Sequence, residues 1–378
     1  MKLYKVLIYL SIFLFLLSCE PIVTEFPDME DAVLYEASSI VTAPAVDTLT
    51  VMTWNIRFGA ARLPWFGDAC GGRVILTNNE VINSLENIAA YIDSVNPDIL
   101  FMQEVDVESK RTNYIDQVQW LLNNTAFNYG AYASMWQSQF VPSDGLGRMN
   151  TGNAVLSKWE ISDAVRHQLS LRGDQDALTQ LFYLRRNALE TKITMGETSF
   201  YAVDVHATAF ATDDTKQKHI QEFKDVLDQI DAAGEPFVAG GDLNSVPPGS
   251  DSLDYCMEDM CAGESYHPAG FDPKKLNYDN EPAHREGSWF VGEDGADLGI
   301  LTTLYDTYTP AIDTLTYQAN EALYFTHTPD YENLTGFDRK LDYLWTNRNW
   351  INNSDKTHWE AAAFSDHLPV TARWVVGQ

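Results

Sequence analysis

Positive charge is scarce in this chain. Against 54 Asp and Glu its 378 residues include 25 Lys and Arg, for a formal net charge of −29. So acidic a surface repels polyphosphates and anionic lipid at long range, which argues against non-specific nucleic-acid binding through a broad basic face but does not exclude phosphate chemistry inside a cleft. Cysteine is scarcer still, at four. No CxxC pair occurs and no His stands at a ligand-like interval from Cys256, so the spacing does not suggest a Cys/His zinc site. A bilayer span takes about 20 apolar residues, and the apolar run Val6–Leu17 has only 12. No internal repeat is visible.

What stands at the start of the chain is a secretory-type signal: Lys2 and Lys5, the run Val6–Leu17, then Leu16-Leu17-Ser18-Cys19. A small residue followed by Cys matches a bacterial lipobox, in which the Cys is acylated and becomes the first mature residue; the alternative is an ordinary cleaved signal. The expectation is an exported lipoprotein of the cell envelope. It would be held to the membrane at Cys19 by more than one acyl chain, since a single chain gives only marginal anchoring. Loss of residues 1–18 removes two lysines and takes the charge to −31. Export also permits a disulfide between Cys256 and Cys261, with Cys70 left over. Residues 19–48, acidic and without sustained periodicity, read as a tether, and 49–378 as one catalytic-sized domain.

From Thr48 onward strand and helix patterns alternate. Leu49–Trp54, Ile99–Met102, Ala154–Leu156, Ser199–Val205, Pro236–Ala239, Leu341–Trp345 and Val370–Trp374 read as strands from their length and their β-branched and aromatic content. Val81, Leu85, Ile88, Ala89 and Ile92 recur at helical spacing until Pro97, as do Ile220, Phe223, Val226, Leu227 and Ile230 before Gly234. The stretch 247–337 is rich in Asp, Gly, Tyr and Trp and reads as an elaborated loop region, the kind of segment that often carries specificity.

Several strand-like runs end in short polar motifs: Thr53-Trp54-Asn55, Met102-Gln103-Glu104, Val205-His206, Gly241-Asp242-Leu243-Asn244, Leu341-Asp342-Tyr343 and Ser365-Asp366-His367. One such motif carries little information. Together and in this order they resemble the endonuclease/exonuclease/phosphatase superfamily across nearly all of the mature domain. That resemblance implies an α/β fold, a four-layer sandwich of two mainly antiparallel sheets with helices outside, as in deoxyribonuclease I-like proteins.

The resemblance also implies roles. Glu104, with Asn55 and Asp366, would hold Mg²⁺ (or Mn²⁺), a hard cation that needs one or two carboxylates and keeps several waters; Gln103 reads as a neighbour. Asp242 and Asn244, one residue apart and on the same side of an extended segment, would orient the attacking water. An Asx-turn is the other reading of these two, and the two are compatible. Asp342 would fix the tautomer of His367, and His206 would face the phosphate or leaving group. Whether Asp242 or His367 is the general base stays open. Arg186 reads equally as a phosphate contact or as half of a solvated arginine pair. Arg57 and Arg73 receive no role, and His267, His284 and His327 read as loop histidines.

The function implied is metal-dependent hydrolysis of a phosphoester by a monomer. A phosphodiesterase with a small or single-stranded substrate is favoured. Nucleic acid, phospholipid, sphingolipid and small phosphomonoesters remain as substrate classes. A non-catalytic surface binding protein is the rival from another class, but a decayed site should have lost at least one of the polar roles, and all are present.

Overall fold

The computed structural model describes residues 23–376 apart from 68–70, 210, 212, 252–298 and 329. Cys19, Cys70, Cys256 and Cys261, and with them the lipidation and disulfide expectations, lie outside the described residues, as do His267 and His284.

Among the described residues fourteen strands make two seven-stranded sheets. In chain order they are β1 (Met29–Asp31), β2 (Val33–Glu36), β3 (Thr48–Asn55), β4 (Ile99–Asp106), β5 (Tyr129–Val141), β6 (Gly147–Ser157), β7 (Glu160–Gln168), β8 (Asn187–Met195), β9 (Thr198–His206), β10 (Phe237–Asp242), β11 (Thr309–Pro310), β12 (Asp342–Thr346), β13 (Lys356–Thr357) and β14 (Val370–Val375). One sheet runs β13-β14-β3-β4-β6-β5-β2 and the other β1-β7-β8-β9-β10-β12-β11. All pairings are antiparallel except one parallel pair in each sheet, β3 with β4 and β9 with β10.

A parallel pair needs a crossover, and two 18-residue helices supply it: α1 (Asn78–Val95) and α4 (Thr215–Ala232). Between them in sequence lie α2 (Gln117–Asn124) and the short α3 (Ala177–Phe182). Helix α1 starts in a capping box: Glu80 N–H donates to Thr77 Oγ1 and Thr77 N–H donates to the Glu80 carboxylate. It stops at Asn96, a left-handed C-cap just before Pro97. Its buried face is Val81, Leu85, Ile88, Ala89 and Ile92, and that of α4 includes Ile220, Phe223, Val226, Leu227 and Ile230. These are the residues whose spacing predicts the two helices.

Three cores follow from the alternation of side chains along the strands. Met52, Trp54, Leu100 and Met102 pack under α1. Val203, Val205, Phe237, Ala239, Tyr343 and Trp345 pack under α4. Leu49, Val51, Ile99, Phe101, Val238 and Leu344 fill the space between the sheets. The order helix, sheet, sheet, helix is the four-layer sandwich expected from the sequence.

The 19–48 segment is corrected in part. Residues 29–36 are docked and not free: β1 pairs with β7 at the edge of one sheet and β2 with β5 at the edge of the other. Edge pairing runs through backbone N–H and C=O groups and needs no hydrophobic periodicity, so the sequence pattern does not reveal it. Ala37 is buried and Tyr35 packs on the core under α1. Of the 247–337 region, the part described beyond residue 298 forms short helices and β11, which joins β12.

Candidate active site

The strand parities that build the inter-sheet core also aim the polar ends. On β3, Asn55 shares the face of Leu49 and Val51. On β10, Asp242 shares that of Val238, and on β12 Asp342 shares that of Leu344. All three therefore point between the sheets. Within the second sheet His206, Asp242 and Asp342 stand in register side by side on β9, β10 and β12. Gly241 makes this possible: at φ +132°, any Cβ would lie 2.0 Å from the Val205 carbonyl oxygen.

Glu104 breaks the parity rule. In a regular strand it would share the face of Met102 and point under α1. Between Met102 and Val105 the pairing with β6 shifts by a bulge, and Glu104 sits at φ +56°. The extra residue turns its carboxylate toward Asn55. Asn55 Nδ2 then bridges the two sheets, donating to Glu104 Oε1 at 3.2 Å and to Asp242 Oδ2 at 3.1 Å. The Asn55 Oδ1 accepts the Arg57 N–H at 3.0 Å. Gln103 points the other way chemically: its amide donates to Asp204 Oδ1 at 2.6 Å and to Thr53 Oγ1 at 3.3 Å, the neighbour role expected of it.

Asp242 is the hub of the buried half. Its Oδ1 accepts the Asn244 N–H at 3.0 Å. Its Oδ2 lies 3.3 Å from His206 Nε2 and 3.6 Å from His367 Nε2. The other His367 nitrogen, Nδ1, is 2.8 Å from Asp342 Oδ2. Burial raises Asp242 to about 7, the imidazolium of His367 opposing and Asp342 adding to the rise. Burial by itself would depress His367, but Asp342 and Asp242 outweigh it and push the imidazole up to about 10. His206, buried and near the Arg186 charge, falls well below the usual range and is neutral, with its Nε2 3.3 Å from Asp242 Oδ2.

Asn244 departs from the extended placement. It sits at φ +46° and its Nδ2 donates to the Ala207 carbonyl at 3.1 Å, so it closes the Asx-turn behind Asp242. Arg185 and Arg186 depart from the solvated reading, being only 8% and 7% exposed. Among the described residues the polar contact of the Arg186 side chain is Met135 Sδ at 3.6 Å, and its Nε has no hydrogen-bond partner. Burial lowers its pKa, with the Tyr183, Glu104 and Asp242 charges opposing, and among the described residues no carboxylate pairs with its guanidinium.

Three groups escaped the sequence reading. His327 bridges to both Arg339 and His367 and lays its ring against His367, centroids 4.6 Å apart; nothing in its sequence context marks it. Lys340 is buried, donates from Nζ to the Asp342 carbonyl at 2.6 Å, and is pushed down to about 8 by burial. A lysine immediately before the Leu341-Asp342-Tyr343 motif is its only signal. Arg57 pairs through Nε with Asp366 Oδ2 at 3.2 Å.

Two donor sets could receive a metal. Glu104 is half-buried at a strand end, with one oxygen on the Asn55 amide, and such hard oxygen donors suit Mg²⁺ or Mn²⁺. Asp242, Asp342 and His367 bring ligand atoms within 4.8 Å of one another. In that second set each imidazole nitrogen already faces a carboxylate, and the imidazolium is itself the balancing cation. Glu104 is the better fit.

The sequence profile of the Endonuclease/Exonuclease/phosphatase family matches residues 52–367. Comparison with curated proteins finds no match. Among solved structures, an endonuclease/exonuclease/phosphatase from Beutenbergia cavernae is similar at TM-score 0.52 and 16% identity, over 87% of this chain and 71% of the other. The human nocturnin catalytic domain reaches TM-score 0.49 at 14% identity, over 90% and 96%. A mannosyl-6-phosphatase from Bacteroides thetaiotaomicron reaches 0.46 at 11%, over 86% and 98%. With its profile match running from within β3 to His367, the chain belongs to the endonuclease/exonuclease/phosphatase family and is a phosphoester hydrolase of that family's α/β sandwich fold.

Proposed function

We propose that the protein is an envelope-anchored phosphodiesterase acting on a small or single-stranded substrate. The observation that carries the catalytic reading is the hydrogen-bonded line from Glu104 through Asn55 to Asp242, with His367 and Asp342 behind it. A divalent cation held at Glu104, beside Asn55, would supply Lewis-acid charge for a non-bridging phosphate oxygen.

The chain's own groups divide the proton work. Asp242, near 7, accepts a proton from the attacking water. His367 is an imidazolium at neutral pH, so it is a donor and not the base; its Nε2–H stabilises charge growing on the phosphoryl or leaving oxygen. Asp342 holds that imidazolium through Nδ1. Asn244 fixes the orientation of Asp242, and Arg186 offers its unpartnered guanidinium to an anionic oxygen of the substrate. A net charge of −29 disfavours long duplex polyanions, which is why a small or single-stranded substrate is preferred.

The test is hydrolysis of bis-p-nitrophenyl phosphate, plasmid DNA, RNA, sphingomyelin and inositol phosphates with Mg²⁺, Mn²⁺ or EDTA. Diester cleavage abolished by EDTA is expected. Cleavage of inositol phosphates alone would make it a monoesterase, cleavage of sphingomyelin alone a lipid enzyme, and EDTA-resistant turnover would remove the metal. The anchoring half rests on Leu16-Leu17-Ser18-Cys19. An alkyne palmitate analogue should label wild type and spare Cys19→Ala; equal labelling would end it.

A further inference from the structure

The segment before β1 enters the fold at the catalytic end. Strands β5 and β7 both run toward that end. Ser134 pairs with Gly152, and Gly152 with Val105 beside Glu104. Gln168 pairs with Asn187, whose neighbour Ala188 pairs with Val205 beside His206. The incoming chain lies antiparallel to both strands. Val23 bridges to Ser138, and Thr24 N–H donates to the Gln137 carbonyl at 2.9 Å. Gln168 N–H donates to the Asp28 carbonyl at 2.8 Å, after which β1 descends along β7 and β2 along β5 to Glu36, opposite Tyr129. Ser138 pairs with Met149, three residues along β6 from Gly152. Val23 therefore stands roughly 10 Å past the level of Glu104, at the rise of a strand.

One buried arginine ties this strap to both sheets. Arg166, on β7, donates from Nε to the Ser134 carbonyl of β5 at 2.8 Å and from Nη2 to the Arg185 carbonyl at 2.9 Å. The Phe26 ring lies 4.0 Å from its guanidinium, and Glu30 Oε1 is 3.8 Å from its Nε. In sequence Cys19 precedes Val23 by four residues, which span at most about 14 Å when extended. An acyl chain on Cys19 would thus be held close to the catalytic end. The strap carries Glu25, Asp28, Glu30, Asp31 and Glu36, carboxylates that keep the sheet edge itself in water.

We propose that the catalytic end of the sandwich faces the membrane that holds the anchor, with Phe140, Leu178 and Leu181 resting on a zwitterionic lipid surface. This rests on the reading of Cys19 as lipidated. Phe140 lies beyond Ser138 on β5, and Leu178 and Leu181 lie on α3, between the catalytic ends of β7 and β8; they are 58%, 68% and 39% exposed. The point of chain entry carries the orientation, since single apolar residues are exposed elsewhere too, Leu315 among them. The lipid is zwitterionic because a chain of net charge −29 is repelled by an anionic surface. The substrate then reaches Glu104 and Asp242 through the layer of solvent next to the bilayer.

The experiment places the full-length protein, purified from the cell envelope, on phosphatidylcholine vesicles whose headgroups carry a nitroxide quencher. A fluorescent amino acid replaces one exposed residue at a time: Ala177 at the start of α3, Leu34 on the strap, or Glu197 in the turn between β8 and β9 at the opposite end. Emission at Ala177 should be quenched, and emission at Leu34 and Glu197 retained. A Gly/Ser linker of about 20 residues inserted between Cys19 and Val23, spanning roughly 25 Å, should lose the quenching at Ala177. Quenching at Leu34 or Glu197 that equals that at Ala177, or quenching at Ala177 that survives the linker, would overturn the orientation and leave the anchor standing. A wild type that floats with vesicles no better than Cys19→Ala would sink the anchoring reading and this inference with it.

Discussion

At the ends of β3 and β4 the site is open: Glu104 is half-buried and Asp366 stands 18% exposed beside Arg57. At the ends of β9, β10 and β12 it is closed: His206, Asp242 and Asp342 are at most 2% exposed. Both halves are built alike, from a parallel pair and an 18-residue crossover helix, and both deliver polar groups at the carboxyl ends of the paired parallel strands, joined by Asp342 and Asp366 from the amino-terminal side of antiparallel neighbours. What differs is solvation. Carboxylates near water suit a hydrated cation. Burial between the sheets pushes the Asp242 carboxylate up to about 7, and Asp342 and Asp242 together push the His367 imidazole up. Asn55 joins the halves, one amide nitrogen touching a carboxylate of each.

The largest effects that would break this division belong to the closed half. His367→Ala and Asp342→Asn should each lower the single-turnover rate by roughly two to four powers of ten, the range for losing an electrostatic or acid–base group. The double variant should match His367→Ala alone, since Asp342 acts through the imidazole. Losses that multiply would show the two working independently. A smaller effect sharpens the same point. Asp342 raises the His367 pKa, so Asp342→Asn should move the alkaline limb of the kcat/KM profile from near 10 toward lower pH. The acid limb, set mainly by burial of Asp242, should drop less. An alkaline limb that does not move would detach Asp342 from His367.

How much of this was legible in the sequence follows from what each feature depends on. The crossover helices and the strands leading into the motifs were readable because burial on one face leaves a period. Strands β5, β7 and β8 were not singled out: Tyr129-Gly-Ala-Tyr-Ala-Ser and Glu160-Ile-Ser-Asp-Ala-Val mix small and polar residues in a way that does not separate strand from loop. The identities of Asn55, Glu104, Asp242, Asp342 and His367 were readable from motif order, and the structure brings them together. Their directions were not. Period 2 sends Glu104 to the wrong face, and only the bulge corrects it. The partners of Asp366 and His367 depend on chain crossings: Arg57 turns back through left-handed residues, and His327 arrives from the elaborated region to stack on His367.

The most direct test of the division is the Mg²⁺ concentration giving half-maximal hydrolysis, measured for wild type, Glu104→Gln and His367→Ala. Glu104→Gln should raise that midpoint by about tenfold or more and regain part of its rate at high Mg²⁺, since a ligand charge is lost while its shape is kept. His367→Ala should lose at least as much rate with its midpoint unchanged. A midpoint that moves as far in His367→Ala as in Glu104→Gln would place the cation in the Asp242–Asp342–His367 cluster and contradict the assignment of metal to the open half.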